Sequence, residues 1–179
     1  MQQQILISGV GGQGVLFLTK LLYTAAFQSR EAVFAYEIHG MSQRGGSVFS
    51  SLKIGPFASP ALFPRTVDLL IALESAELFA YLDFLKPGGR VLCNSSNLSP
   101  AQAEWVKSNH PTAFLYNADA DALRIGQPRV SNLILLGRHM DTGALFCSRE
   151  QILDALKTIV KPRFYQDNQA AFLGQYPRT

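Results

Sequence analysis

Cysteine is scarce: the 179-residue chain has two, Cys93 and Cys147, and no CxxC pair. That rules out a zinc or iron–sulfur ligand set built from this chain's own cysteines. Any cluster or electron-transfer chemistry then belongs to another chain. It also points to a cytoplasmic setting with reduced thiols. Charge is sparse as well, at 16% of residues, with 16 basic against 13 acidic side chains. A net charge of +3 with no Lys/Arg run and no aromatic-basic stripe does not mark a nucleic-acid binder. No apolar run approaches the ~20 residues that a membrane-spanning helix needs. The start, MQQQ followed by ILISG, lacks the layout of a signal peptide and reads as a first strand. Repeats, low-complexity tracts and a second compositional regime are missing too, so the expectation is one domain over residues 1–179. At 47% apolar, the chain can bury a sizeable core, which excludes intrinsic disorder.

What is present alternates between strand and helix patterns. Residues 5–8 form an apolar run that ends in glycines, and residues 15–27 place Val15, Leu18, Leu22 and Ala25 at helical spacing. Residues 32–38 read as a second strand, and residues 47–54 alternate as a half-exposed one. Pro56, Pro60 and Pro64 punctuate a loop before the strongest central strand, residues 67–73. A helix is expected over 75–85, stopped by Pro87-Gly88-Gly89, then a strand over 90–94. Ser99 and Ser148 read as caps of helices over 100–109 and 148–160. Between them lie weaker strands at 113–117 and 123–125 and an ambiguous apolar stretch at 130–140. A short helical piece around 168–173 closes the chain. This order predicts an α/β fold, a three-layer α/β/α domain with a mostly parallel sheet. Ligands in such a fold sit at the carboxyl ends of the strands.

Two glycine-rich motifs fall at such places. Gly9, Gly11, Gly12 and Gly14, with Gln13 among them, form GxGxxG between the first strand and the first helix. Glycine allows the tight turn, and the helix start offers free N–H groups to an anion. A dinucleotide would also need an acid at the end of strand two. The candidates are Glu31, which precedes that strand, and Glu37, which runs straight into the next motif. The misplaced acids count against a dinucleotide, and anion binding or close helix–sheet packing are the readings that remain. The second motif, residues 37–48, reads EIHGMSQRGGSV. It gathers Glu37, His39, Gly40, Met41, Gln43, Arg44, Gly45, Gly46 and Ser47. Arg44 can grip a carboxylate or phosphate with two parallel bonds, or pair with Glu37 to shape the loop. His39 can donate to an oxyanion, act near neutral pH, or make a structural hydrogen bond.

Taken together, GVGGQGVLFLTKLL, EIHGMSQRGGSV, DLLIALESAE and LKPGGRVLCNSS resemble the gamma-type subunit or domain of the 2-oxoacid:ferredoxin oxidoreductases. The HGMSQRGG form is most similar to the beta subunit of the indolepyruvate branch. The resemblance runs along nearly the whole chain, through Asn132, Leu136-Gly137, Asn168, Ala171-Phe172 and Gly174. It implies an enzyme that decarboxylates a 2-oxoacid on thiamine diphosphate, passes electrons through [4Fe–4S] clusters to ferredoxin and releases an acyl-CoA. Thiamine diphosphate, its Mg and the clusters are implied for the large partner subunit, with coenzyme A as co-substrate. This chain has no GDG…N metal-diphosphate motif and would bind none of these cofactors alone. Its implied role is positional, beside the active site, and no covalent or proton-transfer role falls to a residue here. The competing readings are a stand-alone nucleotide-binding oxidoreductase and a non-catalytic module for an acyl-CoA or oxoacid.

Other residues invite blander readings. Glu74 and Glu77 suit the start of a helix, though Glu74 also stands at a strand's carboxyl end, where a pocket or interface role stays open. Asp68, Cys93, Cys147 and Trp105 read as structural, Trp105 as helix–sheet packing, and Asp119 and Asp121 as a loop acid pair. Phe164, Tyr165, Phe172 and Tyr176 make the tail rich in aromatics, able to fold over the core or to dock on a partner.

Overall fold

The computed structural model describes residues 2–39 and 46–176, with 38 and 39 by backbone alone. The isoleucine-rich run after the first glutamines becomes β1 (Gln3–Val10), and α1 (Val15–Gln28) follows the glycine loop. Next come β2 (Val33–His39), β3 (Ser47–Ile54), β4 (Val67–Ala72), α2 (Ser75–Tyr81) and β5 (Leu85–Asn94). The remainder is α3 (Pro100–Asn109), β6 (Phe114–Tyr116), α4 (Ala118–Arg124), α5 (Ser131–His139), α6 (Arg149–Ile159) and α7 (Pro162–Leu173).

Six strands make one sheet in the order β2-β3-β1-β4-β5-β6. Strand β3 runs antiparallel to both of its neighbours, and the other pairings are parallel. Five strands therefore point one way, and the expected mostly parallel sheet is found. The connection from β2 to β3 is too short for a crossover, so those two strands can only pair antiparallel. Helices cover both faces. Ile5 and Ile7 face α1, α5 and α6, while Leu6 faces α2 and α3, and all three side chains are fully buried. An uninterrupted apolar run is what a strand packed on both faces requires.

Two capping boxes set helix starts. Ser99 accepts from the Gln102 backbone N–H while the Gln102 side chain takes the Ser99 N–H. Ser148 and Gln151 repeat the pattern at α6. Each box satisfies two of the donors that a helix start leaves unpaired.

Several expectations need correction. The helix expected over 75–85 ends at Tyr81, and Leu85 already pairs with Val67 in β5. Pro87-Gly88-Gly89 sit inside that strand at a register shift, a bulge where a missing N–H does no harm. Residues 123–125 are not a strand. They end α4, which Asn117 starts by accepting the Ala120 N–H at 3.0 Å. Strand β3 is not half-exposed: Ser50, Ser51 and Lys53 are buried. The proline-rich loop folds back over it, so that Lys53 donates to the Ala61 carbonyl and lies over the Phe57 and Phe63 rings. Trp105 does not pack between helix and sheet. It is 48% exposed, against Phe79 and His110, and the adjacent Val106 takes the inward position.

The tail closes on the body. Phe172 is buried, and the Tyr176 hydroxyl donates to Asp121 Oδ2 at 2.8 Å. Asp121 also takes bonds from the Tyr116 hydroxyl and from Arg124. Burial alone would raise its carboxyl, but the bonds from Tyr116, Tyr176 and Arg124 outweigh that and hold it below its usual value.

Candidate functional site

The first glycine motif spans the step from β1 to α1, and most of its polar groups are used internally. Gly14 caps α1 with φ 88°, a left-handed conformation that glycine adopts without strain. A Cβ there would also overlap the Asn132 amide nitrogen, which donates to the Gln13 carbonyl at 3.1 Å. The Gln13 side chain folds back over its own loop. Its Oε1 accepts the Val10 N–H and its Nε2 donates to Glu74 Oε2, both at 2.9 Å. The other oxygen of Glu74 accepts from the Ser75 N–H and hydroxyl and from Asn97 Nδ2, at 3.1 to 3.3 Å. Helix α1 still presents its opening N–H groups, since the first turn of any helix lacks intrahelical acceptors.

The second motif is anchored where it meets the sheet. Glu37 lies opposite Ser50 in the β2–β3 pairing, and His39 lies opposite Val48. Glu37 lines a groove beside α1 with Leu16, Lys20 and Tyr23. At the other end, the Gly46 carbonyl accepts the Gly11 N–H at 3.0 Å, and the Ser47 hydroxyl donates to Glu77 Oε2 at 2.6 Å. Gly40, Met41, Gln43, Arg44 and Gly45 lie outside the described residues. Gly11, Gly12, Gln13 and Gly14 thus share one end of the sheet with Gly46 and Ser47, and Gly9 pairs with Val48 just below.

Sequence reasoning did not assign four residues that join this constellation: Glu74, Glu77, Asn97 and Asn132. The ESAE run marked the two acids as helix-start charges and left a pocket or interface role open for Glu74 alone. Asn132 entered only through the resemblance, and Asn97 carried no signal. The place itself is distinctive. Chain connections from β1 lead to one side of the sheet through α1, while β4 and β5 extend it on the other. The gap above β1 and β4 is the switch point at which open α/β sheets bind ligands. The Gln13–Glu74 bond spans it.

The same topology removes the geometry that a dinucleotide needs. In that arrangement the acid stands on the parallel strand next to the first one. Here β3 separates β1 from β2, so Glu37 is two strands away.

The thiols do not fit a cluster. Cys93 and Cys147 are buried in the cores on opposite faces of the sheet. Burial, with the Glu74 carboxylate nearby, pushes the Cys93 thiol up to about 12, and burial pushes Cys147 to about 12 as well. Among the described residues, no three His, Cys, Asp or Glu side chains are grouped to hold a metal ion. No described helix is long and apolar enough to cross a membrane.

Known proteins share this fold. The indolepyruvate oxidoreductase subunit IorB of Thermococcus kodakarensis is 30% identical over 187 aligned positions, covering 96% of this chain and 93% of that one. A keto/oxoacid ferredoxin oxidoreductase gamma subunit from Geobacter sulfurreducens superposes with a TM-score of 0.72 at 25% identity, over 95% of this chain and 94% of that one. The fold also recurs, at a TM-score of 0.76 and 16% identity, in a 2-oxoglutarate:ferredoxin oxidoreductase from Magnetococcus marinus with 2-oxoglutarate, coenzyme A and succinyl-CoA bound. There it matches 96% of this chain but 30% of the longer one. The description of the pyruvate ferredoxin/flavodoxin oxidoreductase family matches residues 4–174. On that match and those relatives, the chain belongs to the pyruvate ferredoxin/flavodoxin oxidoreductase family, as a gamma-type subunit of the 2-oxoacid:ferredoxin oxidoreductases.

Proposed function

We propose that this chain is the small subunit of a cytoplasmic, thiamine-diphosphate-dependent oxidoreductase that converts indolepyruvate or another aryl 2-oxoacid, with coenzyme A, into an acyl-CoA and reduces ferredoxin. The near end-to-end match to an indolepyruvate oxidoreductase subunit carries this reading. Thiamine diphosphate, Mg and the [4Fe–4S] clusters reside on a large partner subunit, where they supply decarboxylation and electron transfer. The buried, separated thiols of this chain accord with that division of labour. Its own contribution is positional, the holding of a ligand or a partner loop in productive geometry. Gly9, Gly11, Gly12, Gln13 and Gly14 supply one rim. Glu37, His39, Gly40, Met41, Gln43, Arg44, Gly45, Gly46 and Ser47 supply the other. As one domain over residues 1–179, the chain completes the site without turning over substrate alone.

Co-expression with the large subunit tests this. The complex should reduce ferredoxin in a coenzyme-A-dependent reaction, with higher kcat/KM for indolepyruvate than for pyruvate or 2-oxoglutarate. Full activity from the large subunit alone, or turnover by this chain alone, would overturn it.

A further inference from the structure

Two acids at the start of α2 reach two different loops. Glu74 caps the helix and Glu77 lies in its first turn, three residues on and therefore on the same face. Glu74 Oε2 accepts from Gln13 Nε2 at 2.9 Å, in the first glycine loop. Glu77 Oε2 accepts from the Ser47 hydroxyl at 2.6 Å, at the base of the second. The two loops also meet directly, through the Gly11 N–H and the Gly46 carbonyl at 3.0 Å. The three bonds close a circuit: first loop, α2, start of β3, and back to the first loop. Glycine-rich backbone carries few side chains to pack and has much conformational entropy to lose. It is held by hydrogen bonds or not at all. Glu74 divides its work, because Oε1 takes the bonds at the helix start while Oε2 takes Gln13.

We propose that Glu74 and Glu77 are positioning residues, a clamp that sets the first glycine loop against the base of the second and so sets the specificity constant of the assembled enzyme. This rests on the reading that these loops face a ligand or the partner subunit. The bonds of both acids run to the chain's own groups, Gln13, Ser75 and Asn97 for Glu74 and Ser47 for Glu77. The clamp differs from plain helix capping in its dependence on reach. Aspartate is a good N-cap, so Glu74→Asp keeps the helix start, but it is one methylene short of Gln13.

The test uses the full chain and its reconstituted complex, with coenzyme A and indolepyruvate as varied substrates. Glu74→Asp should lower kcat/KM about tenfold while the Tm of the chain stays within about 2 °C. In the chain alone, amide exchange at Gly11 should quicken about tenfold or more. Combining Glu74→Asp with Ser47→Ala should cost less than the product of the single effects, because both open one circuit. The clamp fails if Glu74→Asp leaves Gly11 exchange and kinetics unchanged, if it acts only by lowering the Tm, or if the two substitutions multiply independently. If the parent complex shows no turnover with any 2-oxoacid, the functional reading fails, and Gly11 exchange still decides the clamp.

Discussion

Asn132 Nδ2 donates to the Gln13 carbonyl at 3.1 Å, tying the first glycine loop to the start of α5. Asn132 is 4% exposed, and its Oδ1 accepts the Leu133 N–H at 2.7 Å. Removing the side chain leaves the Gln13 carbonyl short of a partner, so Asn132→Ala should cost about 1–2 kcal/mol in urea unfolding. Gly14→Ala should cost more, from strain at φ 88° together with overlap on the Asn132 amide. With Asn132 already alanine the overlap is gone. The double variant should then be at least about 1 kcal/mol more stable than the sum of the single effects predicts. Additive losses would show that the two residues do not compete for this space.

Gly137 lets two helices touch. A Cβ there would overlap the carbonyl oxygen of Phe172, so α5 and α7 approach with nothing between them. Backbone cannot swing aside as a side chain can. Gly137→Ala should push α7 away and lower unfolding stability by about 3 kcal/mol, with accelerated exchange along residues 162–173. An unchanged urea midpoint would contradict this.

His139 gives the fold an acid-sensitive point. It is 1% exposed, its ring lies edge-on to Phe114, and Nε2 has no hydrogen-bond partner among the described residues. Burial, reinforced by the nearby Arg90, pushes its pKa down to about 4. A histidine held neutral in the fold takes up its proton on unfolding. Its contribution is therefore complete above about pH 6.5 and is lost as the pH falls from there toward 4, by up to about 3 kcal/mol. Stability measured from pH 7 to 4.5 should decline, and His139→Leu should flatten that decline. An equal slope in the two proteins would remove His139 as the cause.

Arg44 carries the functional expectation that the second motif raises. Arg44→Lys keeps the charge but loses the planar fork. A charge-assisted bond of that kind is worth about 1.5–3 kcal/mol, so kcat/KM of the reconstituted complex should fall roughly 10- to 100-fold. The Tm of the chain should barely move. Unchanged kinetics with a lowered Tm would assign Arg44 to loop structure.

The amino-acid sequence determined whatever depends on neighbours a few residues apart. Ser99 with Gln102 and Ser148 with Gln151 mark helix starts because their bonds close within three residues. Apolar runs such as LLIA in β4 declare a buried strand, because a side chain every residue must find a dry face. The two glycine motifs are likewise local, and so is the place of the first one between strand and helix. Where the same short signal fits two structures, the sequence is silent. Residues 123–125 fit a strand until Asn117 caps a helix across them. The alternation in residues 47–54 suggests a solvent face until a distant loop covers it. Only the tertiary structure decided that β3 lies between β1 and β2, since strand order follows from which surfaces pack best. It alone brought Glu74 to Gln13 and Asn132 to the carbonyl beside it. A hydrogen bond between residues far apart in the chain leaves no periodicity behind. It exists because burial of Ile5, Leu69 and Leu133 in one core has already set their strands and helices side by side.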